Sequence, residues 1–514
     1  MMQTYYSHLK HDIRPDAFRR TVLLFLLIVG SSCIFMAGTI HGIGILPDSV
    51  AYMRIGSAHH FAPLYTWLLQ ATTFFGAGIT SAAWWLGWGS LVLNILLIYY
   101  FLQLTLRNSF SATVLAALII SHPVFQEMHA VAMTEPLYLA LVLLSVLAFS
   151  AAEGRETKLR LALSGALLGL AMLARFAAAP ALPALLLTRL LASHGSLTRR
   201  AIDCAVMTLT AVLVFGSWLV ASELTSGEST GRSLEFLGRP DLDFWGTTLN
   251  AVSVMLLPAF LGFPVRLAFT ILICGAVIWV LAGYARWWLR QPRADRSAPS
   301  LVIPAAFILI SISYAGFLVL SVMLQYRLHL TGRLLLPFYV FVVLAVATAC
   351  GARVYGFDPG RRLLAVLAVA VGCILASNLA RTAIWTESAY RSGLGYASQD
   401  WASSPVLQAV SELPPGGVIY SNAPDLIAYR LQRQAEYLPK HFDHLTGRDD
   451  PARPFPEQLG DMRQSLEHGG AYVVFVDDVD WRDYLVTEEE LLRSVSLVKI
   501  ENLSDGRIFA SASH

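Results

Sequence analysis

The sequence predicts a polytopic α-helical membrane protein of about eleven transmembrane helices, followed by a C-terminal extracytoplasmic α/β domain. Of its 514 residues, 56% are hydrophobic and only 14% are charged, whereas soluble domains carry roughly 25% charged residues. Charges become frequent again after residue 380, which indicates a separate domain outside the membrane. The net charge of +2 is nearly neutral, so nothing in it favours a nucleic-acid partner.

A membrane-spanning helix needs roughly 20 apolar residues. The predicted spans are 21–40, 84–106, 110–122, 133–151, 159–175, 177–192, 203–223, 264–287, 300–324, 334–352 and 363–380. Two further apolar stretches, 60–80 and 244–263, are interrupted by Pro63 and Pro258. We expect these two to lie along the membrane interface rather than to cross the bilayer.

The distribution of Lys and Arg indicates the orientation, because cytoplasmic loops carry an excess of both. With eleven spans, the dense basic clusters all fall on one side: Lys10–Arg20, Arg155–Arg160, Arg199–Arg200, Arg286–Arg296 and Arg353–Arg362. That side, with the N-terminus, is predicted to be cytoplasmic, and the domain of residues 381–514 is predicted to lie outside.

The tail has the pattern of a small α/β domain. Its predicted elements are strands at Gly417–Asn422 and Ala471–Val476, helices at Ala423–Gln434 and Thr487–Ser494, and a hairpin at Leu497–Ala510. No phosphate-binding loop, dinucleotide fingerprint or nucleophile elbow occurs in it. We therefore expect the chemistry to reside in residues 1–380.

Two acidic residues stand at the predicted outer ends of spans. Asp48 follows the first span, and Glu135 opens another, held in its first turn by Pro136. An acid at this depth is costly unless it faces water or a partner. One carboxylate can deprotonate an acceptor hydroxyl while the other orients it or holds a metal. The alternative is that Asp48 caps a helix and Glu135 complements a helix dipole.

Four arginines on the same predicted side break the positive-inside trend: Arg175, Arg266, Arg327 and Arg333. A guanidinium stays charged and binds phosphate through two hydrogen bonds, so a bound anion would account for them. The alternative is snorkelling or pairing with lipid headgroups.

Histidines in the first two predicted outer loops invite a metal-site interpretation. They are His59, His60, His122 and His129, with Glu127 beside them. Their spacing matches neither HExxH nor HxxxH. We expect these histidines to be interfacial or to contact substrate.

Several short motifs follow one another along the chain. They are Asp48-Ser49-Val50-Ala51-Tyr52, Pro63-Leu64-Tyr65, Thr134-Glu135-Pro136-Leu137, Ala174-Arg175-Phe176, Gly332-Arg333-Leu334-Leu335-Leu336-Pro337 and, in the tail, Val418–Asp425 with Tyr437-Leu438-Pro439. In order and spacing the chain resembles the GT-C superfamily of membrane glycosyltransferases. The resemblance is to the bacterial family 39 (RgtA-like) enzymes, related to protein O-mannosyltransferases and the lipid A aminoarabinose transferase. Many relatives carry Asp-Glu in the first loop, whereas this chain has Asp48-Ser49.

The resemblance implies a GT-C-like catalytic domain over residues 1–380 in a bacterial cytoplasmic (inner) membrane, with the tail on the periplasmic or extracellular side. It implies a sugar donor linked to a polyprenyl phosphate, an acceptor that is a glycan, a lipid or a protein, and contact with membrane lipids. Outside the cytoplasm there is no supply of nucleotide sugars, which agrees with a lipid-borne donor.

The resemblance also implies roles for the charged residues. Asp48 would act as the base in an inverting displacement, and Glu135 would position the acceptor or the base. The two acids would be the ligands of any divalent cation, Mg²⁺ or Mn²⁺. Residues implied to bind the donor phosphate are Arg333 and Arg175, supported by Arg327 and Arg266. Residues implied to contact substrate are Tyr52, His59, His60, Tyr65 and His329.

Two other classes of function are open. A transporter or flippase for a lipid-linked or anionic substrate would also combine many spans with ionisable residues, although transporters place their binding residues near the bilayer midplane, within internal repeats. This chain shows no repeat, and its ionisable residues cluster at one predicted surface. A non-catalytic membrane platform that binds a partner through its tail is the other alternative.

Overall fold

The computed structural model describes residues 14–54, 62–152, 154–193, 195–226, 236, 238, 240, 242–444, 446–451 and 453–512. The helices of the membrane part are α1 (Arg14–Gly38), α2 (Pro47–Tyr52), α3 (Leu64–Phe74), α4 (Ile79–Leu106), α5 (Ser109–Ile120), α6 (Pro123–Ala130), α7 (Glu135–Ser150), α8 (Thr157–Ala174), α9 (Ala181–Ala192), α10 (Leu197–Ser226), α11 (Leu242–Leu256), α12 (Phe263–Arg290), α13 (Arg293–Arg296), α14 (Pro299–Leu324), α15 (Gly332–Gly351) and α16 (Arg361–Ser392).

Eight helices within the described residues are long and apolar enough to cross a membrane: α1, α4, α8, α10, α12, α14, α15 and α16. A ninth span results if α5 and α6, which meet at a bend of 63°, are counted together. These eight or nine spans, together with two shorter apolar helices, account for the predicted number of about eleven, and all eleven predicted stretches are helical. The two shorter apolar helices, Glu135–Ser150 and Phe176–Ala192, have fewer than 18 residues each.

Helices α3 and α11 fall in the two stretches predicted to lie at the interface. With 11 and 15 residues, both are shorter than the roughly 20 residues that a span requires. Each exposes a tryptophan, Trp67 on α3 and Trp245 on α11, and tryptophan is enriched at membrane interfaces.

Helix α8 packs closely against α10 because glycine occupies two positions one turn apart. A Cβ added at Gly165 would lie 2.2 Å from the carbonyl oxygen of Met207, and one at Gly169 would lie 2.9 Å from that of Ala211. Small residues at this spacing let the backbones of two membrane helices approach each other. This packing fixes the end of α8, from which Arg175 extends.

Several of the predicted basic clusters lie together at one end of the helical part that the structure describes. Arg200 and Arg296 donate hydrogen bonds to the carbonyls of Leu190 and Leu191, and Arg189 forms an ion pair with Asp203. Arg160 binds the carbonyl of Ala151, and Arg107 binds the hydroxyl of Tyr355. These contacts join loops that the positive-inside pattern assigns to one side.

The C-terminal domain is built around a five-stranded mixed sheet. Its elements are α17 (Gln399–Ala402), α18 (Pro405–Glu412), β1 (Val418–Ser421), α19 (Pro424–Leu431), β2 (Glu436–Tyr437), α20 (Phe455–Glu467), β3 (Ala471–Val476), α21 (Glu488–Ser494), β4 (Leu497–Leu503) and β5 (Gly506–Ser511). The strand order is β2-β1-β3-β5-β4. β1 pairs in parallel with β2 and β3, and β5 pairs antiparallel with β3 and β4. The predicted strands, helices and hairpin are all present.

The sheet covers two separate cores. One face, with Ile419, Val474 and Ile508, belongs to the same continuous core as the membrane part. The other face, with Val473 and Phe509, is closed by side chains of α20 and α21. The last membrane helix, α16, continues to Ser392, twelve residues past the predicted boundary at 380. The domain is therefore firmly packed onto the bundle.

Candidate functional site

A short parallel backbone contact brings the two predicted acids together. Gly44 and Val131 form a β-bridge, in which the Gly44 amide donates to the Ala130 carbonyl and the Ala132 amide donates to the Gly44 carbonyl, both at 2.9 Å. Each acid follows its bridge residue by four positions, Asp48 in the first turn of α2 and Glu135 at the start of α7. Because the two segments run parallel, both carboxylates lie beyond the C-terminal end of this backbone contact.

Two arginines complete an ionic cluster around these acids. The Arg333 Nη1 lies 2.8 Å from the Asp48 Oδ2, and the Arg333 Nε donates to the Glu135 Oε1. The Arg175 Nη1 lies 2.7 Å from the same Glu135 oxygen. The cluster therefore holds two positive and two negative groups, with Arg333 bridging the two acids.

The acids differ in exposure. The Glu135 side chain is 3% exposed, whereas that of Asp48 is 36% exposed. A buried carboxylate is tolerated only with good ionic partners, and Glu135 has two guanidiniums. The structure does not support the capping alternative for Asp48, because Leu46 is the N-cap residue and Ser49 accepts its amide proton at 3.0 Å. Arg175 and Arg333 pair with protein carboxylates, which also argues against simple snorkelling.

A cavity of about 370 Å³ opens beside the cluster. Five of the predicted site residues line it: Asp48, Tyr52, Arg175, His329 and Arg333. The remaining polar lining comes from Thr134, Ser321, Gln325 and Thr331. Glu135 does not line the cavity. Its carboxylate instead contacts the two arginines that do, Arg175 and Arg333.

Two tyrosines support the wall of this cavity. Tyr52 borders the cavity, and burial, followed by the charge of Asp48, raises the pKa of its hydroxyl to about 12. Tyr65 stands behind it, with its ring 5.8 Å from that of Tyr52 in an edge-to-face arrangement. Burial raises the pKa of Tyr65 as well. Tyr52 is therefore a neutral hydroxyl facing the cavity, and Tyr65 supports it from behind.

The structure does not bring Arg266 or Arg327 into the cluster. Arg266 is buried between α11 and α12, where it donates to the carbonyl of Leu261, the hydroxyl of Ser253 and the amide oxygen of Asn250. Arg327 forms an exposed ion pair with Asp483 of the C-terminal domain, at 2.9 Å. His59 and His60 lie outside the described residues.

The carboxylates of the cluster do not fit a divalent cation. Both predicted ligands, Asp48 and Glu135, are bound by Arg333, so a cation placed between them would meet a guanidinium. Among the described residues, no group of three or more His, Cys, Asp and Glu side chains could hold a metal ion. His122 instead contacts the carbonyl of Met255, and His129 contacts that of Phe125.

Several residues in and around the cavity were not predicted as site residues from the sequence. Thr134 accepts a hydrogen bond of 3.4 Å from Arg175 and stands next to Glu135 in the quoted motif. Ser321 and Gln325 stand four residues apart at the end of the apolar helix α14. Polar residues at this spacing share one helix face, which is the signal that could have identified them.

Asn94, buried in α4, donates to the Pro136 carbonyl at 2.9 Å and so holds the start of α7.

A second cavity, almost entirely apolar, lies further along α15. It measures about 560 Å³ and is lined by residues of α11, α12, α14 and α15. On α15 the lining begins at Leu335 and continues through Phe338, Tyr339 and Val342. Arg333 therefore stands two residues before the point where this apolar cavity begins.

Known proteins resemble this chain in structure rather than in sequence. No protein-family model and no curated protein matches it. ArnT from Cupriavidus metallidurans bound to undecaprenyl phosphate has a TM-score of 0.59 at 12% identity, over 95% of this chain and 98% of ArnT; its apo structure gives the same values. The apo oligosaccharyltransferase of Archaeoglobus fulgidus has a TM-score of 0.49 at 13% identity, over 95% of this chain and 74% of that one. The match to ArnT shows that the protein has a GT-C-type fold, the fold that its sequence motifs imply.

Proposed function

We propose that this protein is a glycosyltransferase that moves a sugar from a polyprenyl-phosphate-linked donor to an acceptor hydroxyl. The observation that carries the proposal is the Asp48–Arg333 ion pair at the edge of the 370 Å³ cavity. Displacement at a sugar carbon needs a base for the attacking hydroxyl and a cation for the departing phosphate. The pair supplies both within one hydrogen-bond length.

In the proposed reaction, Asp48 takes the proton of the acceptor hydroxyl as its oxygen bonds to the anomeric carbon. The bond from that carbon to the phosphate oxygen breaks, and its electron pair leaves with the polyprenyl phosphate. Attack opposite to the leaving group inverts the anomeric configuration. Arg333 and Arg175 stabilise the charge on the departing phosphate.

The Asp48–Arg333 contact then belongs to the resting enzyme. A donor phosphate competes with Asp48 for the Arg333 guanidinium, and binding of that phosphate frees the carboxylate to act as a base. Glu135 stays bound to both arginines and is only 3% exposed. It therefore serves as a positioning group for the two guanidiniums rather than as a substrate contact.

The second cavity suits the lipid part of the donor. Arg333 is in the first turn of α15, where free backbone N–H groups and the helix dipole favour an anion. The apolar cavity begins at Leu335 on the same helix. Leu335 lies about 200° around α15 from Arg333, so the polyprenyl chain of a donor bound at Arg333 would pass around the first turn of α15 to enter this cavity. The structure of ArnT bound to undecaprenyl phosphate supports a carrier of this chemical class.

The proposal includes an orientation. Several basic clusters contact one another around the Arg189–Asp203 pair, at the end of α9 that is farther along the chain from Arg175. The positive-inside rule assigns that end to the cytoplasm. The N-terminus is then cytoplasmic, and the cavity and the C-terminal domain face the periplasmic or extracellular side of a bacterial inner membrane.

The test is reconstitution of the purified protein in proteoliposomes with a panel of synthetic polyprenyl-phosphate sugars and a glycolipid extract from cells that lack the protein. Mass spectrometry should detect free polyprenyl phosphate from one donor, together with an acceptor heavier by one sugar. A flippase would leave the sugar–phosphate bond intact, so donor that changes leaflet without releasing polyprenyl phosphate would contradict the proposal. Cells without the protein should accumulate the same donor.

A further inference from the structure

The C-terminal domain contacts the segment that carries Asp48. The amide of Tyr396 donates to the Ile45 carbonyl at 2.7 Å, and Gly395 forms a parallel β-bridge with Ile45. Gly395 has a φ of +56°, and a Cβ there would lie 2.1 Å from the Ile45 carbonyl oxygen. Only glycine fits this approach. The segment before Asp48 is thus paired on one side with residue 131 and on the other with residue 395.

Helix α19 of the same domain packs against α2, the helix that begins at Pro47 and carries Asp48. The first turn of α19 holds Asp425, whose carboxylate receives two contacts from the Nη2 of Arg482, at 2.9 and 2.8 Å. The hydroxyl of Tyr396 donates to the same carboxylate at 3.0 Å. Asp425 therefore connects the segment paired with Ile45 to the helix packed on α2.

The Asp425–Arg482 pair is shielded from solvent. The Arg482 side chain is 4% exposed and that of Asp425 is 10% exposed. Arg482 also donates to the carbonyl of Asn422 at 2.6 Å and lies over the ring of Tyr437 at 5.2 Å. Burial, then the charge of Asp425 and, more weakly, that of Asp48, raise the pKa of Tyr437. Tyr437 therefore packs against Arg482 as a neutral ring.

We infer that Asp425 and Arg482 are positioning residues, which hold α2 in the orientation that presents Asp48 to the cavity. A buried ion pair contributes little net stability compared with an apolar pair of the same size, but its geometry is well defined. That geometry reaches Asp48 by two routes, through Tyr396 and through α19. The expected catalytic effect rests on the proposed function, whereas the effect on the geometry of α2 does not.

The test compares Asp425→Asn with a matched control, Asp461→Asn, in the full-length protein. Asp461 forms an exposed ion pair with Arg453 elsewhere in the same domain. Hydrogen–deuterium exchange of residues 43–53 should become about tenfold faster in Asp425→Asn, since loss of a charged hydrogen bond lowers the local opening free energy. The control should exchange as the wild type does.

Kinetics provide the second readout. Displacement of a catalytic group by about 1 Å can reduce the rate by roughly 100-fold, so kcat should fall by at least about tenfold while the KM for the donor changes little. Asp461→Asn should keep wild-type kinetics. If Asp425→Asn fails to fold, Asp425→Asn/Arg482→Gln, which leaves no unpaired charge, and Tyr396→Phe, which removes one hydroxyl, are measured in the same way.

Wild-type exchange at 43–53 in every folded variant would overturn the inference, as would an equal fall of kcat in the control. Faster exchange in a protein whose wild type transfers no sugar would support the positioning role and contradict the proposed function. The two inferences can therefore fail separately.

Discussion

The stretch from residue 175 to residue 192 carries a partly buried arginine near each end, and the two differ in their surroundings. Arg175 joins Glu135 and Arg333 in the candidate site, whereas Arg189 pairs with Asp203. Arg175 is an extended residue just after α8, whereas Arg189 lies in the last turn of α9. Both are guanidinium–carboxylate contacts of 2.7 Å. They show that the presence of a buried ion pair does not by itself indicate a site.

The two ion clusters differ in their access to a cavity and in the number of carboxylates that each arginine binds. Asp203 is 2% exposed and Arg189 is 11% exposed, and the arginine's other contact is the carbonyl of Ala152 at 3.4 Å. In the candidate site, Arg333 is shared by two carboxylates, and one of them, Asp48, borders a cavity. A shared and accessible guanidinium can exchange a carboxylate for a phosphate, whereas a closed pair can only hold helices together.

The largest effect is expected for Asp48→Asn. The amide cannot accept the proton of the acceptor hydroxyl, and a positioned base contributes roughly 10² to 10⁴ in rate. Turnover in proteoliposomes should fall by roughly 10³-fold, the middle of that range, while the melting temperature stays close to that of the wild type because Asp48 is partly exposed. Turnover within tenfold of the wild type would exclude Asp48 as the base.

Arg333→Gln should have the next largest effect. It removes the cation beside the departing phosphate, a type of contribution that is typically worth about 10²-fold in kcat, and it weakens donor binding as well. Both kcat and the KM for the donor should therefore change, measured by initial rates over a donor series. Arg327→Gln is the matched control, because Arg327 pairs with Asp483 outside the cluster. Equal losses of turnover in Arg333→Gln and Arg327→Gln would contradict the assignment of Arg333, and not Arg327, to the donor phosphate.

The sequence was sufficient to identify the four charged residues of the cluster. A charge at the end of an apolar span is costly, so Asp48, Glu135, Arg175 and Arg333 stand out without any structure. Their pairing could not be predicted, because Asp48 and Arg333 are 285 residues apart. Arg266 was predicted to support Arg333, but its partners are neutral groups of α11 and a nearby backbone carbonyl.

The fold, like the candidate site, could be predicted from the sequence only in part. Apolar length identified all eleven helical stretches, but it could not show that α7 begins at a buried carboxylate or that Pro123 opens a new helix after a sharp bend. In the tail, the apolar strands were clear from their composition. The two-residue strand β2 depends on pairing with β1 and leaves no periodic signal of its own.

Asp203→Asn is expected to act on stability alone. It leaves Arg189 buried without its counter-ion, which typically costs about 3 kcal/mol or more. The melting temperature should fall, measured by thermal unfolding in detergent, while turnover per folded molecule should remain that of the wild type. A turnover loss comparable to that of Asp48→Asn would remove the distinction between the two ion clusters.

The smallest effect is expected on removal of divalent cations. A resident metal would need carboxylates that are free of other cations, and both carboxylates of the candidate site are bound by Arg333. The guanidiniums already supply the positive charge that the departing phosphate requires. Turnover after dialysis against EDTA should therefore stay within about twofold of the untreated rate, with MgCl₂ re-addition as the control. A large loss that MgCl₂ or MnCl₂ restores would mean that a metal, rather than Arg333, joins Asp48 to Glu135 in the active enzyme.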